Sequence, residues 1–312
     1  MTRVLITGAS GFLGSAITAQ AALRSDWEVY AVTSGRRPVA FPPSVHPVTA
    51  DLRDMAQCDA LMGHLRPEKM IHLAWNLESR DFLNTDDNLT WLEIGLQLLR
   101  SFLANGGQRF LFSGSSAEYG YALPVCRETQ PGAPSDLYGM CKAAFTSVAQ
   151  RLCENHGASY VTARYFSVYG PGETHLLHVI PLAIDALLSG RDFTCKGPNN
   201  VWDYVYIDDA AKATVHLLAS DAHGVVNIAS GHPAKMREVF DTLGQVLGCP
   251  ERIFYENEDQ PGRTLVADTA RLQSLFPNET VTALQTGLTN TIAWWKDQKN
   301  KSGAPVSAHI KS

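Results

Sequence analysis

Tyr138 and Lys142 stand four residues apart in the segment Tyr-Gly-Met-Cys-Lys. Four residues make about one helical turn, so a helix would place both side chains on one face. A free tyrosine titrates near pH ~10, and a nearby ammonium lowers that pKa because it favours the phenolate. The pair is therefore a candidate proton donor and acceptor near neutral pH. The alternative is an exposed helical pair without chemistry, since this spacing also arises by chance.

A glycine-rich segment near the N-terminus is a second candidate site. Arg3–Thr7 has the apolar pattern of a short buried strand, and a helical pattern runs from about Leu13 to Leu23. Gly8, Gly11 and Gly14 lie between them, a variant of the Gly-x-Gly-x-x-Gly fingerprint. In a strand, turn and helix of this kind, the helix N-terminus holds a dinucleotide pyrophosphate. A glycine-rich loop without a ligand is the alternative.

Strand and helix signals alternate as far as about Tyr169, which indicates a parallel sheet with helices on both faces. We predict strands near 3–7, 28–33, 46–49, 69–73, 109–113 and 160–166, and helices near 12–24, 55–65, 86–105 and 136–156. Prolines interrupt the alternation from Gly170 onward. The expected fold class is α/β, a doubly wound parallel (Rossmann) sheet with a smaller C-terminal substrate-binding lobe over its carboxyl edge.

The predicted domains follow from the same alternation. A dinucleotide-binding domain covers 1–170, with 201–219 returning to it, and the smaller lobe covers mainly 171–298. The polar segment 299–312 has no periodic pattern and is expected to be disordered.

Composition excludes several classes of function. A net charge of −5 over 312 residues gives no sign of a nucleic-acid surface. Neither a membrane span of ~18–20 apolar residues nor a signal peptide is expected. The six cysteines lack Cys-x-x-Cys spacing, which favours reduced thiols in the cytoplasm. No metal site is expected, because the histidines are scattered; His175 and His178 are interpreted as solvated or substrate-facing.

The order of motifs along nearly the whole chain resembles the extended short-chain dehydrogenase/reductase family. The best-known members of that family are epimerases, dehydratases and reductases of nucleotide-activated sugars. Besides the glycine loop and the Tyr-x-x-x-Lys pair, the segments that carry the resemblance are Met70–Ala74, Phe110–Gly120, Arg164–Gly172 and Trp202–Ala211.

The resemblance implies a catalytic set. Tyr138 would be the acid/base, Ser115 a second hydrogen-bond donor, and Lys142 the residue that holds the nicotinamide ribose and lowers the tyrosine pKa. Ser115 is chosen over its neighbours because the family serine or threonine falls four residues before Tyr119. A strand-end serine bonded to backbone is the alternative. Asn88 matches a family asparagine, although a helix N-cap explains it equally well.

The cofactor is expected to be NADP, with NAD as the alternative. NAD-binding members usually end the second strand with an acidic residue, and Thr33 stands there in this chain. Arg36 and Arg37 follow, and a guanidinium binds a 2′-phosphate well; solvated loop charges are the alternative. By resemblance, further cofactor contacts are expected at Ser10, Phe12, Leu13, Ser34, Asp51, Leu52, Leu73, Ala74 and Tyr165.

Departures from the family pattern narrow the reaction. Dehydratases usually carry Asp-Glu directly after the catalytic serine or threonine, where this chain has Ser116 and Ala117. Glu118 comes one position later, and a one-residue shift along a strand turns a side chain to the opposite face. A 4,6-dehydratase is therefore disfavoured, as is an epimerase that needs an extra acid or base. Reduction of a keto group and 4-epimerisation remain.

The substrate is expected to be a nucleotide sugar, although two usual diphosphate-binding arginines are replaced by Trp202 and Gln260. Ser167 stands where relatives often have asparagine. Asn76, Ser115, Ser116, Ser167 and Trp202 are candidate substrate contacts, while Trp202 is equally explained by packing. If the substrate carries a diphosphate, the basic residues available to hold it are Arg263, Lys196, Lys235 and Arg191.

The prediction is an NADPH-dependent reductase of a keto group, on a nucleotide-linked 4-keto-6-deoxy sugar. An NAD-dependent nucleotide-sugar 4-epimerase is the first alternative, and a non-catalytic dinucleotide-sensing protein is the second. A homodimer is expected, because many relatives pair through the two long helices near 86–105 and 136–156. An intramolecular core face would give those helices a similar apolar pattern.

Overall fold

The structure, a computed structural model, describes residues 1–36, 39–121 and 124–302. Its strands are β1 (Thr2–Thr7), β2 (Trp27–Thr33), β3 (Val45–Thr49), β4 (Lys69–His72), β5 (Arg109–Ser115), β6 (Val125–Cys126), β7 (Ser159–Tyr165), β8 (Ser167–Tyr169), β9 (Phe193–Lys196), β10 (Val201–Trp202), β11 (Tyr204–Tyr206), β12 (Gly224–Ile228), β13 (Ala234–Lys235), β14 (Ile253–Glu256) and β15 (Thr264–Ala267). Its α-helices are α1 (Phe12–Ala21), α2 (Met55–Leu65), α3 (Asp87–Ala104), α4 (Leu137–Asn155), α5 (Val179–Leu188), α6 (Ile207–Ala219), α7 (Met236–Leu247), α8 (Ala270–Leu275) and α9 (Leu284–Ser302). Short 3-10 helices cover Ser116–Tyr119 and Pro250–Arg252.

Two compact units make up the chain. The first comprises Met1–Ala122, Glu128–Tyr165 and Ala210–Ile228, and the second comprises Leu123–Arg127, Phe166–Asp209 and Ala229–Ser312. These bounds differ from the predicted ones, because the first unit ends before residue 170 and its returning segment runs from 210 to 228.

The first unit contains a seven-stranded parallel sheet in the order β12-β7-β5-β4-β1-β2-β3. The predicted α/β class and parallel Rossmann sheet are confirmed. Strand order reverses beside β1, and open α/β sheets bind their ligands at the carboxyl ends of the strands at such a point. β1 lies inside the sheet between β4 and β2, and its residues Val4, Leu5 and Ile6 are fully buried, as expected for a parallel strand covered on both faces. The seventh strand, β12, was not predicted.

Helices α2, α3 and α4 close one apolar core of this unit. Its largest side chains include Phe102 from α3, Phe110 and Phe112 from β5, and Phe145 from α4. The start of α4 is fixed by Asp136, whose carboxylate accepts a hydrogen bond from the Gly139 amide at 2.8 Å. An aspartate cap of this kind fixes where a helix begins, so the position of the Tyr138 side chain is set by both the cap and the core.

The second unit is built from smaller sheets and helices. It has a four-stranded sheet in the order β13-β10-β15-β6, and two pairs of strands, β11 with β8 and β14 with β9. Helix α9 runs to Ser302, so residues 299–302, expected to belong to a disordered tail, are helical. The remainder of that predicted tail, 303–312, lies outside the described residues. Within the part of the chain that the structure describes, no helix has the length and apolar character of a membrane span.

Candidate active site

The glycine-rich turn between β1 and α1 has the geometry of a phosphate-binding loop. Gly8 has a φ of 71°, which other residues rarely adopt. A methyl group on Gly14 would lie 2.0 Å from the carbonyl oxygen of Gly8, so only glycine lets α1 approach the strand this closely. The N-cap of α1 is Gly11, and no side chain caps the helix. Its first amides are therefore available to an anion.

Neighbouring residues complete this cradle. Phe12 and Leu13 begin α1, and Ser10 lies half-buried in the turn before it. The amide of Leu73 donates to the carbonyl of Thr7 at 3.2 Å, which brings the segment after β4 beside the loop. Ala74 approaches so closely that a Cβ on Gly8 would lie 2.7 Å from its nitrogen. The residues present fit a dinucleotide.

No acidic residue stands at the end of β2, where residues 33–36 are Thr, Ser, Gly and Arg. Thr33 is the last residue of the strand, and its hydroxyl accepts from the Gly35 amide at 3.3 Å. The Ser34 hydroxyl accepts from the Arg36 amide at 3.4 Å, and the Arg36 side chain is exposed. Arg37, predicted as a phosphate ligand, lies outside the described residues.

Three further predicted cofactor contacts have distinct surroundings. The carboxylate of Asp51 accepts from the Arg53 amide at 3.0 Å and is exposed, while Leu52 is buried. The hydroxyl of Tyr165 is 2.5 Å from that of Thr214 on α6, in a buried contact. The Tyr165 hydroxyl is therefore engaged within the unit.

The structure brings the three predicted catalytic residues together. Ser115 ends β5, and Tyr138 and Lys142 lie in the first turns of α4. The Tyr138 hydroxyl is hydrogen-bonded to the Ser115 side chain. The Lys142 ammonium lies 5.6 Å from the Tyr138 ring centroid and donates to the carbonyl of Ser113 at 2.8 Å. Serine and tyrosine hydroxyls thus meet at one point, where they can hold a single oxygen of a substrate.

The charge states differ from those expected from the spacing alone. Burial raises the pKa of Tyr138 to about 12, although its hydrogen bond with Ser115 acts in the opposite direction. Burial also lowers the pKa of Lys142 to about 7, against the attraction of the Glu118 carboxylate. The expectation that the tyrosine pKa is lowered towards neutrality is not met, because desolvation of the buried hydroxyl is the largest effect on that pKa.

Glu118 is buried on the side of the 3-10 helix away from solvent. Its carboxylate accepts from the Arg164 guanidinium at 2.7 Å, from the Ser115 amide at 2.8 Å and from the Thr146 hydroxyl at 3.3 Å. Glu118 lies in a 3-10 helix and not in the strand, so the strand alternation used to predict its direction does not apply. Ser116 begins that helix and is half-buried.

The loop after β4 contains a residue that sequence analysis did not assign. The Trp75 ring centroid lies 4.1 Å from the Lys142 ammonium, and its indole N–H donates to the Asn88 side chain at 2.8 Å. Asn88 is therefore neither an N-cap nor exposed. Asn76, predicted to contact substrate, donates its amide to Asp87 at 2.9 Å. A tryptophan directly after Ala74, at the carboxyl edge of the sheet, was the available signal for Trp75.

The second unit holds the remaining predicted contacts. Ser167 lies in β8, where its amide donates to the carbonyl of Asp203 at 3.0 Å, and Trp202 lies half-buried in β10. The His178 ring, predicted to face solvent or substrate, lies 3.1 Å from the buried carboxylate of Glu173. Among the described residues, no group of three or more His, Cys, Asp or Glu side chains has the arrangement of a metal site.

Comparison with models of known protein families identifies the family of this chain. The model of the NAD-dependent epimerase/dehydratase family matches residues 4–229. The chain belongs to this family. It is an NAD(P)-dependent enzyme of the extended short-chain dehydrogenase/reductase type, as the motifs predicted.

Individual members of the family are similar to this chain over most or nearly all of its length. A UDP-glucose 4-epimerase of Azospirillum brasilense is 30% identical, covering 79% of this chain and 78% of the relative. A UDP-glucose 4-epimerase of Rhizobium meliloti (strain 1021) is 27% identical, covering 96% and 98%. The crystal structure of a Thermus thermophilus UDP-glucose 4-epimerase complexed with NAD superposes with a TM-score of 0.82 at 25% identity, covering 95% of this chain and 99% of that one.

Proposed function

We propose that this protein is a nucleotide-sugar 4-epimerase that works with one tightly held NAD. The observation that carries the proposal is the acid/base content of the site. Tyr138 and Ser115 are hydrogen-bonded to each other, and the carboxylate next along the chain, that of Glu118, is held in an ion pair with Arg164. Such a site favours moving a hydride and one proton over eliminating water, which needs a further acid and base.

The chemistry assigned to each residue is simple. When bound, the oxidised dinucleotide supplies a hydride acceptor and donor and a positive charge. Tyr138 would act as the phenolate, which the Lys142 ammonium and the positive charge of the bound dinucleotide favour. It would take the proton of the sugar 4-hydroxyl as the C4 hydride leaves, and it would return that proton when the hydride comes back to the opposite face. Ser115 holds the sugar oxygen by a hydrogen bond in both half-reactions. Lys142, by family resemblance, holds the nicotinamide ribose.

The sugar is proposed to be linked to UDP, since the relatives compared above are UDP-glucose 4-epimerases. Within the second unit, Ser167 and Trp202 remain candidate substrate contacts. These comparisons favour the epimerase over the reductase predicted from the sequence.

Incubation of the purified protein with UDP-galactose, without added dinucleotide, tests this function. We expect conversion to UDP-glucose, and release of NAD when the protein is denatured. Incubation in deuterated water should leave C4 unlabelled, because the hydride returns from the same cofactor molecule. Absence of conversion with UDP-galactose and UDP-N-acetylgalactosamine, in protein that retains NAD, would reject the epimerase.

The residue types at the end of β2 favour a second candidate, an NADPH-dependent reductase of a 4-keto sugar. Thr33 stands where a carboxylate would repel a 2′-phosphate, and the exposed Arg36 follows. This candidate predicts protein isolated without nucleotide, and oxidation of NADPH in the presence of a UDP-4-keto-6-deoxy sugar. Thr33→Asp should then shift preference from NADPH to NADH.

A homodimer is proposed from the exposed apolar side chains of the two long helices. Leu89 on α3 and Met140 and Val148 on α4 are about half exposed. Sedimentation of the wild type against Val148→Lys tests this surface, and we expect the variant to be monomeric. A cytoplasmic location is also proposed, because none of the six cysteines, all within the described residues, forms a disulfide and five of them are buried.

A further inference from the structure

The Lys142 ammonium is buried and surrounded mainly by aromatic rings. It lies 4.1 Å from the ring centroid of Trp75, 4.7 Å from that of Phe112 and 5.6 Å from that of Tyr138. Its hydrogen bonds go to the carbonyl and hydroxyl oxygens of Ser113, at 2.8 and 3.4 Å. A cation over an indole face is stabilised by the ring quadrupole, and most strongly where water is excluded.

The orientation of Trp75 is itself fixed. Its indole N–H donates to the Asn88 side-chain oxygen at 2.8 Å. Asn88 is almost fully buried, and its amide nitrogen donates to the carbonyls of Phe82 and Thr85 at 2.7 and 3.0 Å. Two carbonyl acceptors determine which end of the amide faces the indole. The indole plane is thus held against the ammonium by a chain of hydrogen bonds.

Trp75 also contacts Tyr138. Its ring packs edge-on against Tyr138, with centroids 6.2 Å apart and an interplanar angle of 81°. One side chain therefore contacts both members of the Tyr138–Lys142 pair, whereas the family resemblance assigned it no role.

We propose that Trp75, anchored by Asn88, is a positioning residue that keeps Lys142 in its charged form beside Tyr138. The proposal rests on the proposed hydride-transfer function. Other charged or titratable groups also act on this lysine: Glu118 from the 3-10 helix attracts the ammonium, and His72 from β4 is a neutral imidazole nearby. Burial opposes the charged form, and the indole face counteracts that effect.

Titration of Lys142 by NMR tests the proposal without requiring turnover. Protein labelled with ¹³C at the lysine ε-carbons gives a titration curve for each lysine, and Lys142→Arg identifies the signal of Lys142. We expect Trp75→Leu to lower the midpoint of Lys142 by about half to one pH unit, the size expected for a cation–π contact. Asn88→Ala, which removes the partner of the indole N–H, should lower it by a smaller amount.

Trp91 offers a matched control. It is also half-buried, donates its indole N–H to Asp87 at 3.0 Å, and packs 5.3 Å from the guanidinium of Arg53. Trp91→Leu removes a similar volume and a similar pair of contacts, and we expect the Lys142 midpoint to remain at its wild-type value. If Trp75→Leu fails to fold, Trp75→Phe, which retains a ring of weaker quadrupole, should still lower the midpoint.

Two results would overturn the proposal: an unchanged midpoint in folded variants of Trp75, or an equal fall in Trp91→Leu. In the active enzyme, the alkaline limb of the kcat/KM profile should move to lower pH with the same midpoint, because the charged form of Lys142 is lost as the pH rises, while a packing defect would lower activity equally at every pH. A lowered midpoint in protein that converts no nucleotide sugar would reject the proposed function and leave the role of Trp75 in place.

Discussion

The Glu118 carboxylate lies 2.7 Å from the Arg164 guanidinium, and both side chains are buried. The pair joins the 3-10 helix after β5 to the neighbouring strand β7. Because the same carboxylate accepts from the Ser115 amide, it fixes the backbone of the proposed catalytic serine. Glu118 is therefore assigned to support of the site rather than to proton transfer.

Replacement of Glu118 should reduce stability. Glu118→Gln leaves a buried guanidinium without its counter-charge, and loss of one partner of a buried ion pair costs about 3–5 kcal/mol. Urea unfolding should show a decrease of that size in the free energy of unfolding. As a control, Glu154→Gln removes the exposed pair with Arg151 and should cost at most about 1 kcal/mol. A Glu118→Gln variant of full stability but greatly reduced kcat would show that Glu118 acts in catalysis.

Most strands and helices of the first unit could be predicted, because the alternation of apolar and polar residues that marks them is strong and lies within each segment. The six predicted strands and four predicted helices of the first unit are present within a few residues of the expected bounds. β12 was missed because Gly224–Ile228 is a short run with two half-buried residues at its start, and its pairing with β7 is a contact distant in sequence. Two-residue strands such as β6, β10 and β13 exist through pairing with neighbours, which no local pattern records.

The active site, too, could be predicted only in part from the sequence. Sequence spacing was sufficient to bring Tyr138 beside Lys142 and Ser115, because one helical turn and one strand end determine those positions. It was insufficient for their charge states, because desolvation depends on the rings and the sheet packed around them. The contact between Trp75 and Lys142 joins residues 67 positions apart, and Asn88 supports Trp75 only once the loop between them has folded.

Gly14 should tolerate no side chain. In Gly14→Ala the new methyl group would lie 2.0 Å from the Gly8 carbonyl oxygen, so α1 must move away from β1 and the phosphate cradle must open. We expect loss of NAD binding in a fluorescence titration. Gly63→Ala is the matched helical control. Its methyl group would meet only the Asn105 side chain at 3.8 Å, so we expect normal binding and a gain of about 0.5–1 kcal/mol in stability.

Removal of the tyrosine hydroxyl should affect turnover far more than binding. Tyr138→Phe retains the ring contacts with Trp75 and Phe82 but has no proton to transfer. We expect kcat to fall by about 10²–10⁴-fold with little change in bound NAD. Ser115→Ala should lower kcat less, since tyrosine still delivers the proton. The control is Tyr121→Phe, because Tyr121 lies exposed outside the catalytic set. Equal losses in Tyr121→Phe and Tyr138→Phe would contradict the assigned acid/base.

His72 should make the folded protein sensitive to acid. Burial, followed by the charge of Lys142, lowers the pKa of His72 from 6.5 to about 3. Between these values the unfolded chain binds a proton that the folded chain does not, so the free energy of unfolding falls as the pH falls from 6.5 towards 3. The contribution is at most about 1.4 kcal/mol per pH unit.

The measurement is urea unfolding of wild type and His72→Leu between about pH 7 and 4. This range covers most of the interval between the ordinary pKa of histidine and the lowered pKa of His72. His72→Leu loses the 2.7 Å hydrogen bond between the imidazole and Thr7, so it should be less stable at neutral pH. Its stability should nevertheless fall less steeply with acid, because no imidazole remains to take up a proton on unfolding. The exposed His64 supplies the control: His64→Leu should retain the wild-type slope. Identical slopes in wild type and His72→Leu would mean that His72 is protonated in the folded protein, which its buried contacts with Phe112 and Phe145 oppose.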